Sequence, residues 1–184
     1  DKKQEENLDK KQEENLDKKQ EENNKSELQK AYNYFCIIAI CLSSSRLYKN
    51  FISTDLIDII KDEWQGIDIS DSFYDKIWSV ISSTLSKEIM PFIPNLIQRA
   101  IDLIKEPFQY VRLCRVCSIE MITDVIIIDN SYIQLISSSH LENEVLKLIR
   151  RFPGHTFLEN SLFELCLKAF EIPELQDQFI NALV

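Results

Sequence analysis

The chain has 184 residues, of which two are glycine and five are proline, and its formal net charge is −9. Binding to nucleic acids depends on clustered Lys and Arg side chains, so this acidic charge argues against an RNA- or DNA-binding protein. The shortage of glycine argues against a hairpin-rich fold and a nucleotide-binding α/β fold, because tight turns and phosphate-binding loops need glycine.

Cysteine usage and hydropathy restrict the expected cellular setting. The five cysteines all lie inside apolar runs, without the loop-rich spacing of a secreted disulfide scaffold. No apolar run approaches the roughly 18 residues that a membrane span needs. We therefore expect a protein of a reducing compartment, cytoplasmic or also nuclear, with no membrane span.

Residues 1–24 form the first predicted segment, in which the octad DKKQEENL occurs twice in full and a third time in part. Leu8 and Leu16 lie eight residues apart, about 80° on a helix, so the repeat builds no apolar seam. Favourable pairs such as Glu6 with Lys10 are compatible with a solvated single helix. The lack of apolar surface is equally compatible with disorder. We interpret this low-complexity segment as a spacer.

Residues 25–184 form the second segment, the predicted helical-repeat domain. From Ser26, the stretch SELQKAYNYFCIIAICL is apolar on nearly all sides, which is typical of a buried helix that begins at a serine N-cap. Two further helices are predicted in RLYKNFISTDLIDIIKDEW and DSFYDKIWSVISSTLSKEI, with a loop around Gly66 between them. The second of these has apolar residues at helical spacing: Phe73, Ile77, Val80, Ile81 and Leu85.

Prolines mark the starts of the next two predicted helices. Pro91 and Pro94 lie at the start of PFIPNLIQRAIDLIK, where a missing N–H is tolerated. Pro107 is predicted to open the helix that follows. The apolar stripe of the first of these helices comprises Ile93, Leu96, Ile97, Ala100, Ile101 and Ile104, and that of the second comprises Val111, Cys114, Ser118, Met121, Ile122 and Val125.

The stretch DVIIIDNSYIQLI is ambiguous by periodicity, because Val125 to Ile128 would also suit a short buried strand. Its helical neighbours favour a helix, since a lone strand would have nothing to pair with. Helices are also predicted in SSSHLENEVLKLIRRF, in HTFLENSLFELCLKAFE after a break at Pro153-Gly154, and in PELQDQFINALV. The stripe of HTFLENSLFELCLKAFE comprises Leu158, Leu162, Leu165, Cys166 and Ala169.

This succession of helices, each with its own apolar stripe, predicts an all-α fold. The expected architecture is an α-solenoid of armadillo- or HEAT-like repeats, with an irregular helical bundle as the alternative. The last helix runs apolar to Val184 without a polar cap. Solenoids need polar terminal repeats, so we expect a fragment of a longer solenoid or a contact with another chain at that end.

Cys114 and Cys117 form a Cys-x-x-Cys pair, which raises the question of a zinc or redox site. A structural zinc ion needs four ligands, and the other cysteines, His140 and His155 are far away in the sequence. A thioredoxin-like pair follows a strand at a helix N-terminus, whereas this pair is expected about two turns into a helix. We interpret both cysteines as small core residues and expect no metal and no cofactor.

We also expect no catalytic role for His155 or for the clusters of charged residues. His155 would suit a general base, but no nucleophile motif lies near it, so an enzyme is the weakest class and no catalytic residue is expected. The acidic stretch from Asp55 to Asp75 lacks the EF-hand order and is interpreted as a solvated face, or alternatively as a surface for a basic partner. Its basic counterpart, suited to phosphate or acidic peptides, comprises Arg112, Arg115, Lys147, Arg150 and Arg151.

Three stretches in residues 82–171 resemble the SAPS-domain family, regulatory subunits that associate with protein phosphatase 6. SSTLSKEIMPFIPNLIQRAIDLI is similar to the family's serine-rich approach to a helix near Ile-x-Pro. KEPFQYVRLCRVCSIEMI resembles its Glu-Pro-Leu-Gly-x-x-Arg-Leu helix, and NEVLKLIRRFPGHTFLENSLFELCLKAF resembles its paired helices. The matching residues are Glu106, Pro107, Arg112, Leu113, Phe157, Leu158, Glu164, Leu165 and Cys166; the family's Gly is Gln109 here, and its Gly-Ala pair is Arg115 and Val116.

The resemblance implies a helical scaffold that binds a phosphatase 6-type catalytic subunit and directs it to substrates. Exposed residues of the Glu-Pro helix are the expected contact ridge, namely Glu106, Arg112, Arg115 and Glu120. The alternative is a generic armadillo- or HEAT-like adaptor with an unrelated client.

Overall fold

The computed structural model describes residues 20, 23–34, 36–37, 71–86, 90–92 and 94–183. The octad repeat up to residue 19 and the helix predicted around residues 46–64 lie outside these residues, so the predicted division at residues 24 and 25 stays a prediction. Within the described residues every regular element is a helix, which confirms the all-α prediction. No helix found there has both the length and the apolar character needed to cross a membrane.

The described part of the chain from residue 71 onward contains two 3₁₀ helices, Met90–Phe92 and Asn130–Tyr132, and a series of α-helices. The α-helices are α1 (Asp71–Thr84), α2 (Pro94–Lys105), α3 (Leu113–Ile128), α4 (Ile133–Ser138), α5 (Leu141–Arg151), α6 (Thr156–Phe170) and α7 (Pro173–Leu183).

Helix α3 lies at the centre of the core. It packs against α1, α2 and α6. A helix that is apolar on all sides must be buried by several neighbours, and most residues of α3 are indeed buried. Helix α7 packs against α4, α5 and α6, and α2 also contacts α5.

In the three helices that surround α3, the described residues of the predicted apolar stripes belong to the hydrophobic core. In α1, Phe73, Ile77, Val80 and Ile81 are buried, and Leu85, just after the helix, is half-buried against the core. The described stripe residues of α2 and α6 are buried as well. The ambiguous stretch from Val125 to Ile128 is the last turn of α3, which confirms the helical interpretation.

The helix predicted to open at Pro107 begins instead at Leu113. A residue that precedes proline is disfavoured in the helical conformation, so α2 ends at Lys105, and residues 106–112 form a loop. This loop places Phe108 against the guanidinium groups of Arg112 and Arg115, at 5.6 and 4.5 Å from the ring centroid. A helix from Pro107 onward would be incompatible with the extended backbone of Arg112, whose φ is −97° and ψ is 152°.

The first predicted helix differs from expectation in its start and its burial. The chain is already helical at residue 23, so Ser26 is not its N-cap. The described residues of this segment are exposed or half-buried, so the predicted burial on nearly all sides is wrong for them. One side does contact the core, through Leu28, Ala31 and Tyr32, and the Tyr32 ring meets Phe73 edge-on at 5.9 Å between centroids.

Candidate functional site

The N-terminus of α3 is held by two carboxylates of α1. Asp75 Oδ1 accepts a hydrogen bond from the backbone N–H of Cys114 at 3.0 Å. Arg112, the residue before the helix, forms an ion pair with Asp71 at 2.7 Å and contacts Asp75 at 3.4 Å. A carboxylate at a helix N-terminus satisfies a free N–H and complements the helix dipole. Arg112 is therefore engaged within the chain.

Arg115 is inside the protein, with 1% of its surface exposed, so the expectation that it is exposed on a contact ridge is wrong. Its Nε donates to the carbonyl oxygen of Leu103 at 3.3 Å, and its Nη2 donates to that of Glu106. These carbonyls lie at the C-terminal end of α2, where free carbonyl groups and the helix dipole favour a cation. Burial lowers the pKa of Arg115.

Glu106 also contacts its own chain. Its carboxylate accepts from Arg99 Nη1 at 2.8 Å, and Arg99 Nε donates to the Tyr74 hydroxyl at 3.2 Å. Three of the four predicted contact residues thus connect α1, α2 and α3 to one another. Only Glu120 is exposed on α3 away from this network.

The Cys114 and Cys117 thiols are free and buried in the first turns of α3. The prediction that they lie two turns into a helix is wrong, because the helix starts later than expected. Burial raises the pKa of both thiols to about 12, so neither is a thiolate near neutral pH. In the part of the chain that the structure describes, no group of three His, Cys, Asp or Glu side chains is arranged to hold a metal ion.

The histidines occupy helix starts. His155 is the N-cap of α6, and its Nδ1 accepts from the backbone N–H of Leu158 at 3.3 Å, as expected for an N-terminal helix residue. His140 precedes α5 in the left-handed conformation, with φ of 55°, and its Nδ1 lies 3.2 Å from Glu142 Oε1. Each ring thus has a contact at the start of its own helix.

A groove of about 430 Å³ lies between α1, α3 and α6. Carboxylates stand on two sides of it, with Glu120 and Asp124 on α3 and Glu164 on α6. The full lining comprises Ser82, Glu120, Thr123, Asp124, Ile127, Asn160, Ser161, Glu164 and Lys168.

The charges of the groove are unbalanced. Glu120 accepts a hydrogen bond from the Ser161 hydroxyl at 3.3 Å. Burial, together with the charge of Glu120, raises the pKa of Asp124. The ammonium group of Lys168, on the last turn of α6, is held at 3.1 Å by both carboxylate oxygens of Glu171, which follows the end of that helix.

Comparison with known proteins adds no assignment. No protein-family model, curated protein or solved structure matches this chain.

Exposed apolar side chains accompany the groove. Ile127 lines it and is 56% exposed, and Phe157, 77% exposed, is on the same side of α6 as Ser161, Glu164 and Lys168. The groove therefore presents carboxylates and apolar groups together.

Among the residues that line this groove, only Glu120 was predicted from the sequence as a contact residue. A usable signal was the pair Glu120 and Asp124, two like charges at i and i+4 in a helix whose other residues are mostly apolar. Such a pair is unfavourable unless something compensates it. The contribution of Glu164 needed the fold, because α6 lies about 40 residues further along the chain.

Proposed function

We propose that this chain is a regulatory or scaffold subunit that binds a protein phosphatase 6-type catalytic subunit and directs it to substrates. The observation that carries the interaction function is the open groove of α1, α3 and α6, which combines carboxylates with exposed apolar side chains. The phosphatase partner rests on the resemblance of three short stretches to SAPS domains. The helices of such a subunit would stack as an armadillo- or HEAT-like solenoid.

The two kinds of groups in the groove have different roles in such a contact. Burial of apolar surface contributes about 25 cal/mol per Å², which makes Ile127 and Phe157 sources of affinity. Charged groups determine orientation and association rate more than affinity, and this is the expected role of Glu120, Asp124 and Glu164.

Affinity capture tests the proposal. The purified chain is immobilised and offered a purified phosphatase 6-type catalytic subunit, with an unrelated helical-repeat protein of similar size and charge as the control. Retention above the control supports the phosphatase assignment. Equal retention on both surfaces removes it.

A generic adaptor with an unrelated client is the second candidate, and one observation favours it. Thr123, Asp124 and Ile127 line the groove but lie between the stretches that resemble SAPS domains. Only part of the groove is thus formed by residues of the stretches that resemble SAPS domains. Proximity labelling in cells separates the candidates: enrichment of phosphatase subunits supports the first, and enrichment of other clients without them supports the second.

A further inference from the structure

We infer that the groove between α1, α3 and α6 is the docking site for a cationic amphipathic segment of a partner protein, with a Lys or Arg side chain between the carboxylates and apolar side chains on the rim. This inference rests on the proposed interaction function and specifies the chemistry of the partner.

The carboxylates of the groove lack a counter-charge among the described residues. No described cation forms an ion pair with Glu120, Asp124 or Glu164. Lys168, the cation in the lining, is already paired with Glu171. A Lys or Arg side chain from outside would relieve the repulsion between Glu120 and Asp124 and make charge-assisted hydrogen bonds.

The groove also has a suitable size and polarity. Its volume of about 430 Å³ is within the range of small-ligand pockets, roughly 300 to 1,000 Å³, so a long side chain fits. Thr123 and Ser161 line the same space. The carboxylates of α3 and α6 line this same groove, so a cationic head that enters it meets acceptors from both helices.

Apolar side chains form part of the rim of the groove. Ile127 and Phe157 are exposed beside the carboxylates, and their burial would favour a ligand that carries apolar groups next to its cation. An amphipathic helix provides this combination at i, i+3 and i+4 spacing. The acidic charge disfavours phosphorylated ligands, nucleic acids and the chain's own octad segment, in which acidic residues outnumber lysines.

Fluorescence anisotropy tests the inference with a labelled helical peptide of about 14 residues, roughly 20 Å long, that carries Arg and Leu on one face. A matched peptide has Glu in place of each Arg. We expect the full chain to bind the Arg peptide and not the Glu peptide. The triple variant Glu120→Gln, Asp124→Asn and Glu164→Gln should weaken binding about tenfold.

A second triple variant controls for net charge. Asp102→Asn, Glu174→Gln and Asp177→Asn remove the same charge at exposed positions away from the groove. We expect this control to bind the Arg peptide within about twofold of the unmodified chain, because distant surface charges are screened by salt. Equal weakening by both triple variants overturns the docking site, since it would show attraction by net charge alone.

The apolar rim has its own matched pair of variants. Phe157→Ser should weaken peptide binding several-fold, because Phe157 is on the groove side of α6. Phe163→Ser should leave it unchanged, because Phe163, 62% exposed, is turned about 120° away on the same helix. An equal effect of the two substitutions overturns the inferred rim.

Stability measurements test whether a segment of this chain, and not a partner protein, occupies the groove. If the groove triple variant unfolds at lower urea concentration than the unmodified chain, the carboxylates are already paired with a cationic segment of this chain, and docking of a partner is overturned. We expect its stability to be equal or higher.

The experiments distinguish failure of the docking site from failure of the phosphatase assignment. Groove-dependent binding of the Arg peptide without phosphatase capture keeps the docking site and removes the phosphatase assignment. Phosphatase capture that is the same for the unmodified chain and the groove triple variant keeps the proposed function and overturns the docking site.

Discussion

The Arg115 guanidinium closes the end of α2, although Arg115 belongs to α3. Its hydrogen bonds go to the carbonyls of Leu103 and Glu106, and Phe108 covers its planar face. We expect Arg115→Met to lower the free energy of unfolding by about 2 kcal/mol, because two carbonyls lose their donor. Urea unfolding followed by circular dichroism measures this loss.

The control for this substitution is Arg150→Met, in which the exposed arginine of α5 is replaced in the same way. Surface substitutions usually change stability by less than about 0.5 kcal/mol. Equal stability of Arg115→Met and the unmodified chain would show that removal of a buried charge compensates for the lost bonds.

Asp124 is expected to destabilise the folded chain above acidic pH. Burial raises its pKa from the ordinary value of 3.8, so the folded state binds the proton more tightly than the unfolded state. Stability therefore falls as the pH rises from the ordinary pKa through the raised one. Asp124→Asn should be more stable than the unmodified chain at pH 7, and the difference should vanish below the ordinary pKa.

Thermal unfolding between pH 3 and pH 8 checks this dependence on Asp124. Asp177→Asn on α7 is the matched control, because the residue is exposed, and it should stay within about 0.5 kcal/mol of the unmodified chain. A stability gain for Asp124→Asn that persists at the lowest pH would contradict the explanation through protonation.

At the scale of elements, α3 depends on α1 for its first turn. Asp75 accepts from the Cys114 N–H, while Arg112, which precedes the helix, provides no side-chain cap of its own. We expect Asp75→Ala to lower the free energy of unfolding by about 1 to 2 kcal/mol, the usual loss for a helix cap. Asp75→Asn should lose less, because its side-chain oxygen can still accept the bond.

Chemical unfolding of these two variants of Asp75 separates the cap from the ion pair. An equal loss for Ala and Asn would show that the charge interaction with Arg112 carries the stabilisation and that the cap contributes little.

The dependence of α3 on a distant helix for its cap explains which elements could be predicted from the sequence. Stripes such as Ile77 with Ile81 lie within one helix, so their spacing shows in the sequence, and the structure buries them. The start of α3 is fixed by Asp75, which lies 39 residues from Cys114. A cap supplied by a distant helix leaves no signature in the local sequence. Pro107 is a typical helix-start residue, but in the structure it lies in the loop before α3.

At the scale of the whole molecule, the packing of α1 and α6 on α3 creates the candidate groove. Glu120 and Asp124 share one helix and could be recognised together from their spacing. Glu164 and Phe157 reach them only because α6 packs on α3, a contact that no local pattern encodes. The all-α fold class and the apolar stripes could therefore be predicted from the sequence. The groove could not, because it is formed by tertiary packing.

The N-terminal part of the chain provides the last prediction. The octad repeat contains no apolar surface to bury except isolated leucines, whereas Leu28, Ala31 and Tyr32 pack against the core. We expect deletion of residues 1–22 to leave the free energy of unfolding within about 0.5 kcal/mol of the full chain. Deletion of residues 1–33 should lower it by about 2 kcal/mol or more, because these contacts and the Tyr32–Phe73 ring contact are lost.

Urea unfolding of the full chain and the two deletions decides between a spacer and a structural role for the octad repeat. A spacer predicts that only the longer deletion shifts the transition, since stability then comes from the apolar contacts that begin at Leu28. A shift already present in the shorter deletion would mean that the repeat binds to the helical body. Polar groups would then provide that contact, because Leu8 and Leu16 lie about 80° apart on a helix and form no common apolar face.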